Sequence, residues 1–180
     1  MKNAILWVLI ALLPVTALGE VKDSAANGFT IVNEVVVNEE RAKAWAAAID
    51  VGKWWSSDHT VSGDAERLSI DAKPQGCFCE TLGRRSGVVH LTVTAVMPGT
   101  SLRMTGGLGP LGLMGVDGNM TWDFEDTADG TSIRMTYAVG GYMASGLDRM
   151  APAVDGVLAE ALNRLKAYIE TGDPNTASVE

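Results

Sequence analysis

Apolar and polar positions change rhythm three times along this 180-residue chain. "FTIVNEVVVN" (29–38) is rich in β-branched residues and predicts a strand. The stretch "EERAKAWAAAID" then switches to helical spacing. Asn38 is placed to cap it, Glu39 and Glu40 fall in a first turn that favours acids, and Trp45 and Ile49 stand four apart as the expected buried stripe. "VGKWWSSDHTVSGDAE" is rich in Gly, Ser and Asp and reads as a connection holding at most a short second helix.

From about residue 67 the period becomes two. "LSIDA", "CFCETL", "GVVHLTVTAVM", "SLRMTG", "NMTWDFED" and "TSIRMTYAVG" are six strand candidates separated by turn-forming residues, which predicts an antiparallel meander. "APAVDGVLAEALNRLKAYIETG" returns to helical spacing. Pro152 suits its first turn, Val154, Val157, Leu158, Ala161, Leu162, Leu165 and Ile169 share one face, and Gly172 can end it. A curved antiparallel sheet of about six to seven strands and one long amphipathic helix each have an apolar side to bury, so the helix should lie across the sheet. The expected class is α+β.

These elements resemble the SRPBCC superfamily, the helix-grip fold of START domains, the major birch-pollen allergen and polyketide cyclases. The resemblance rests on "VVVNEERAKAWAAAIDVGKWW", "KPQGCFCE", "GVVHLTVTAVMPGTSLRMTG", "GNMTWDFEDTADGTSIRMTY" and the last helix, and covers residues 29 to about 170. "PGTSLR", "GNMTW" and "DGTSIR" are similar to the closing strands of the branch related to activators of the heat-shock chaperone ATPase. The resemblance implies a pocket between sheet and helix. Strand alternation and the fold together nominate Trp54, Trp55, Phe78, Leu91, Val93, Met104, Met120, Trp122, Met135, Tyr137, Tyr142 and Leu158 as its lining. The apolar, Gly-rich loop 106–118 is placed to cover an entrance or to dock on a protein partner.

The N-terminus adds a location. Lys2 precedes the apolar run 4–13, and the small residues after Pro14 offer cleavage following Ala17 or Gly19, the pattern of a signal peptide. Residues 1–19 are then a signal, 20–172 one domain and 173–180 a polar tail, in a periplasmic or secreted protein with no stable membrane insertion after cleavage. The formal charge of −8 becomes −9 once Lys2 is removed, and no run of Lys or Arg exists. That balance argues against nucleic acid as a partner.

The chemistry concentrates in "QGCFCETLGRRSGVVH" (75–90), with both cysteines and one of the two histidines. A turn centred on Arg84 and Arg85 places Cys77 opposite Thr92 and Cys79 opposite His90, so that Cys77, Cys79 and His90 share one face. Val89, Leu91, Val93 and Ala95 are expected on the other, inner face. Three readings of the cysteines stay open: plain packing, a disulfide in an oxidising compartment, or a zinc or copper site completed by His59 or Glu80. Glu80 falls on the pocket side with Phe78. Unpaired there, it would have a raised pKa and suit general-base chemistry together with Tyr137. Paired with Arg103 or Arg134, it would be structural.

The leading expectation is an exported binding protein for a small hydrophobic or amphipathic ligand, with no cofactor. The alternatives are a cyclase or dehydratase using Glu80 and Tyr137, and a soft-metal or co-chaperone-like interaction module.

Overall fold

The computed structural model describes residues 18–177. The expected signal sequence falls almost wholly outside that range. Eight antiparallel strands form one sheet: β1 (Leu18–Ala25), β2 (Gly28–Val37), β3 (Leu68–Ile70), β4 (Cys77–Gly83), β5 (Ser86–Met97), β6 (Ser101–Thr105), β7 (Gly115–Thr127) and β8 (Gly130–Tyr142). Their order across the sheet is β1-β2-β8-β7-β6-β5-β4-β3. From β3 to β8 each strand pairs with its chain neighbour, which is the predicted meander. β2 then pairs along its whole length with β8, tying the first predicted strand to the last. β1 has no counterpart in the sequence reading. Its "VKDSA" is polar and mostly solvent-facing, so it carries no inward apolar rhythm.

Two α-helices cover the concave face. α1 (Arg41–Ile49) starts two residues after the expected place, with Glu40 as its unassisted N-cap. Its buried residues are Ala44 and Ala48, while Trp45 and Ile49 are only partly buried. Small side chains let α1 lie close to the sheet, and Trp45 reaches sideways to meet Phe124 edge-on at 5.2 Å. α2 (Ala151–Thr171) has Pro152 in its first turn and ends at Gly172, whose φ of 81° is a left-handed conformation that glycine adopts at little cost. Leu158, Ala161, Leu162 and Leu165 pack inward from α2 against the sheet.

Between α1, α2 and the sheet sits an aromatic cluster. Trp54 is fully buried, 5.6 Å from Trp55 and 5.9 Å from Trp122. Its Nε1 donates to the carbonyls of Ala47, which also accepts the Asp50 amide, and Ala48 at the end of α1. From α2, Arg164 donates through Nε to the Trp54 carbonyl at 2.9 Å. The long connection between α1 and β3 is thus pinned to both helices.

Candidate functional site

The hairpin β4–β5 departs from the expected register in its middle. Gly83 pairs with Ser86 and Cys77 with Thr92, as a two-residue turn at Arg84-Arg85 requires. Between them the pairing slips by one: Thr81 faces Gly87, Glu80 faces Val88 and Cys79 faces Val89. Leu82 on β4 and His90 on β5 have no partner in this ladder, so two single-residue bulges cancel. The expectation that Cys79 opposes His90 on the outer face is therefore corrected. The bulge turns His90 inward beside Leu91, both of them buried, and turns Val89 out to 62% exposure.

Cys77 and Cys79 are joined in a disulfide with their Cα atoms 5.3 Å apart. A flat strand would hold them roughly 6.5–7 Å apart, so the strand contracts here, directly across from the bulge at His90. The four side chains nominated for a soft metal are not brought together. Cys77 and Cys79 bond to each other, His90 faces the interior, and His59 Nε2 lies 3.1 Å from Glu160 on α2. Among the described residues no group of three or more His, Cys, Asp or Glu side chains is arranged to hold a metal ion.

Phe78 and Glu80 point inward. The partner of Glu80 is neither Arg103 nor Arg134, since Arg134 forks onto Glu34 at 2.7 and 3.0 Å. Instead Glu80 Oε2 accepts from the Val61 amide at 3.0 Å and lies 3.0 Å from His90 Nε2, while Oε1 accepts from the Ser62 amide. Burial pushes the carboxyl up, but hydrogen bonds from Ser62, Val61 and His90 outweigh it and bring its pKa down to about 2. A carboxylate held there is a poor proton acceptor at neutral pH, which corrects its expected role as general base. It anchors the 61–62 backbone and orients the imidazole.

His90 opens onto a cavity of about 630 Å³ at one end of the grip. Trp55, Phe78, Leu68 and Val88 form one side, Met150 at the N-cap of α2 with Ala153, Val154 and Val157 another, and the segment from Gly107 to Leu113 the roof. Its polar exceptions are Asp58, His59, Thr60 and His90. Phe78 bridges Trp55, edge-on at 5.4 Å, and His90, tilted at 5.5 Å. A second groove of about 480 Å³ on the outer side of β1, β2, β7 and β8 presents Asp23, Asp117 and Asn119 with backbone. Its titratable groups are Asp23 and Asp117, whereas the hydrogen-bonded imidazole and carboxylate of His90 and Glu80 lie at the first.

Only Trp55 and Phe78 of the nominated lining residues border the cavity. Trp54, Leu91, Val93, Met104, Met120, Trp122, Met135, Tyr137 and Leu158 are packed core, because the aromatic cluster fills the centre of the grip where a pocket was expected. Tyr142, at the far end of β8, is 77% exposed. Tyr137 supports the roof instead of lining the space. Its hydroxyl donates to the Gly106 carbonyl at 2.8 Å and accepts from the Leu108 amide at 2.9 Å. Burial raises its pKa to about 12, so it stays protonated. Gly118 makes room for it, as a Cβ there would sit 2.5 Å from the Tyr137 ring.

Missed entirely were Val61 and Ser62 as carboxylate donors and the α2 wall at Ala153. Backbone donors leave no side-chain signal. The choice of loop 106–118 as an entrance cover was the one hint of a roof.

A polyketide cyclase/dehydrase and lipid transport family model matches residues 28–170. Solved structures share the fold at low identity. A conserved protein of unknown function from Enterococcus faecalis is 13% identical, with 91% of this chain and 82% of that one covered and a TM-score of 0.59. CalU16 from Micromonospora echinospora is 15% identical over 87% and 86%, with a TM-score of 0.53. DynU16, a putative protein of the dynemicin biosynthetic locus, is 18% identical over 81% of this chain and 48% of its own, with a TM-score of 0.57. No curated protein matches. With four-fifths of its length inside the family model and the sheet-and-helix grip in place, the chain belongs to the polyketide cyclase/dehydrase and lipid transport family.

Proposed function

We propose that this protein is an exported carrier that holds one small hydrophobic or amphipathic molecule in the cavity beneath the 107–113 roof. The observation that carries the reading is the cavity itself: about 630 Å³, walled by aromatic and aliphatic side chains, with its few polar groups gathered at one side. Such a lining offers burial to an apolar body and fixed positions to a polar end. The family description, which includes lipid transport, supports it. Export rests on the signal-like N-terminus, which is a statement about sequence.

The test is native and denatured mass spectrometry of protein purified from periplasm. The expected result is cleavage after Ala17 or Gly19 and a native adduct of lipid or aromatic size. Val157→Trp, which fills the cavity from α2, should remove that adduct and the accompanying change in Trp55 fluorescence while the protein stays folded. An adduct-free protein that also binds no apolar probe would overturn the reading.

A further inference from the structure

Two bulges that cancel leave the β4–β5 hairpin a choice that an ordinary hairpin lacks. Outside them the strands keep one register, fixed at Cys77–Thr92 and at Gly83–Ser86. Sliding β5 by one residue between Gly87 and His90 would remove both bulges and disturb neither end. It would pair Cys79 with His90, Glu80 with Val89 and Thr81 with Val88. Side chains alternate, so that slide sends Val89 inward and brings His90 and Val88 out. β6 pairs with β5 only from Thr92 to Met97, so among the described residues β4 is the one strand beside the stretch that would move. β4 itself stays on β3 through Glu80–Leu68 and Cys79–Ser69, and Glu80 keeps the amides of Val61 and Ser62.

Each arrangement has one gain and one loss. The observed one buries His90 against Glu80 and leaves Val89 exposed. The other buries Val89, completes the ladder and gives up the contact between His90 and Glu80. The disulfide favours the first. It holds the Cα atoms of Cys77 and Cys79 5.3 Å apart, against roughly 6.5–7 Å in an extended strand, where these two steps of β4 face three steps of β5 from Val89 to Thr92. The slipped pairing also needs Gly87, where a Cβ would lie 2.8 Å from the Glu80 carbonyl oxygen.

We propose that the Cys77–Cys79 disulfide is a reversible redox site: an external thiol opens it, and β5 then takes the uniform register that exchanges His90 for Val89 on the inner face. The proposal stands on the hairpin alone and does not need the carrier reading. Both cysteines are half-buried on the outer face, where a thiol can reach them. Their bond joins residues two apart, and the stabilisation that a disulfide draws from loop closure shrinks with the loop. A thiolate of the reductant attacks one sulfur, forms a mixed disulfide and expels the other cysteine as a thiolate, which takes up a proton. A second reductant thiolate attacks the reductant's sulfur in that mixed disulfide and releases the remaining cysteine. Two electrons pass to the protein and the reductant leaves as its disulfide; exchange with such a disulfide reverses the reaction. Reduction thus withdraws an imidazole from the cavity's edge and puts an aliphatic side chain in its place.

The test compares the oxidised protein with the same protein after dithiothreitol and desalting, with thiols counted by mass and the fold followed by far-ultraviolet dichroism. Two thiols should appear while the dichroism holds. His90 should then react with diethyl pyrocarbonate about tenfold faster, as expected when an exposed arrangement changes from minor to major. His59, whose side chain is already 33% exposed, serves as the internal reference and should change little. Cross-strand nuclear Overhauser contacts should move from Cys79–Val89 to Cys79–His90. Cys77→Ser/Cys79→Ser should show the reduced pattern with no reductant present, and the reduced natural protein carries the test if that variant does not fold. Thiols that appear only as the dichroism collapses would make the bond purely structural. A reduced, folded protein that keeps Cys79 on Val89 and His90 protected would show that the bulges hold the register by themselves. Either result overturns the proposal.

Discussion

Glu80→Gln is expected to cost about 3 kcal/mol of stability at neutral pH, the free-energy equivalent of lowering a carboxyl from its ordinary 4.5 to about 2. The side chain is 1% exposed, so solvent screens little of this. Gln keeps the shape but offers one oxygen to two amides and an imidazole, and its own NH2 then faces donors. The sign follows from the direction of the shift. A lowered folded-state pKa contributes stability that is complete above about 4.5 and is lost as pH falls towards 2. Urea unfolding of both proteins between pH 7 and pH 2.5 should show a wide gap that closes through this acid window. A gap that stays constant would mean that Glu80 contributes through packing and not through charge.

The second large effect belongs to the aromatic cluster. Trp54→Ala should destabilise the protein by about 3–5 kcal/mol, the range for removing a fully buried large aromatic side chain, and lower Tm by about 10 °C. Two losses combine: the ring contacts with Trp55 and Trp122, and the Nε1 donor to the last carbonyls of α1. Trp54→Phe retains much of the first and none of the second, so its cost should be about half as large. Thermal unfolding followed by far-ultraviolet dichroism measures both. A loss below about 1 kcal/mol for the alanine variant would show that α1 and α2 hold the connection without the cluster.

Periodicity is enough to recover the meander, because six stretches approximate a period of two and turn-forming residues separate them. It also yields α2, whose apolar face and Gly172 terminus are local signals. It cannot place β1, whose hydrogen bonds to β2 are backbone to backbone and leave most of its side chains in water, Val21 excepted. The site is harder still, for a reason visible in one residue. Face assignment counts residues in twos, and His90 sits on the bulge where that count breaks. Everything from Cys79 to Thr81 is displaced by one relative to the naive pairing, and the second bulge at Leu82 hides the slip by restoring it at the turn. The cavity's position escaped for another reason. Trp54 and Trp122 are as compatible with lining a pocket as with filling one, and only their mutual approach decides.

Tyr137 separates two properties of a carrier that are easily confused. Its hydroxyl bonds to Gly106 and Leu108 are made by a side chain that does not border the cavity. A cargo that leaves the roof in place leaves them intact, so they then cancel from the affinity. A molecule too broad for the mouth must still lift the roof to pass, and lifting the roof breaks them. On the carrier reading proposed above, residence time and delivery rate are set at Tyr137 and selection among cargoes at the walls. A family that carries different molecules can then retune its exchange kinetics at a core position without rebuilding the surface that recognises the cargo.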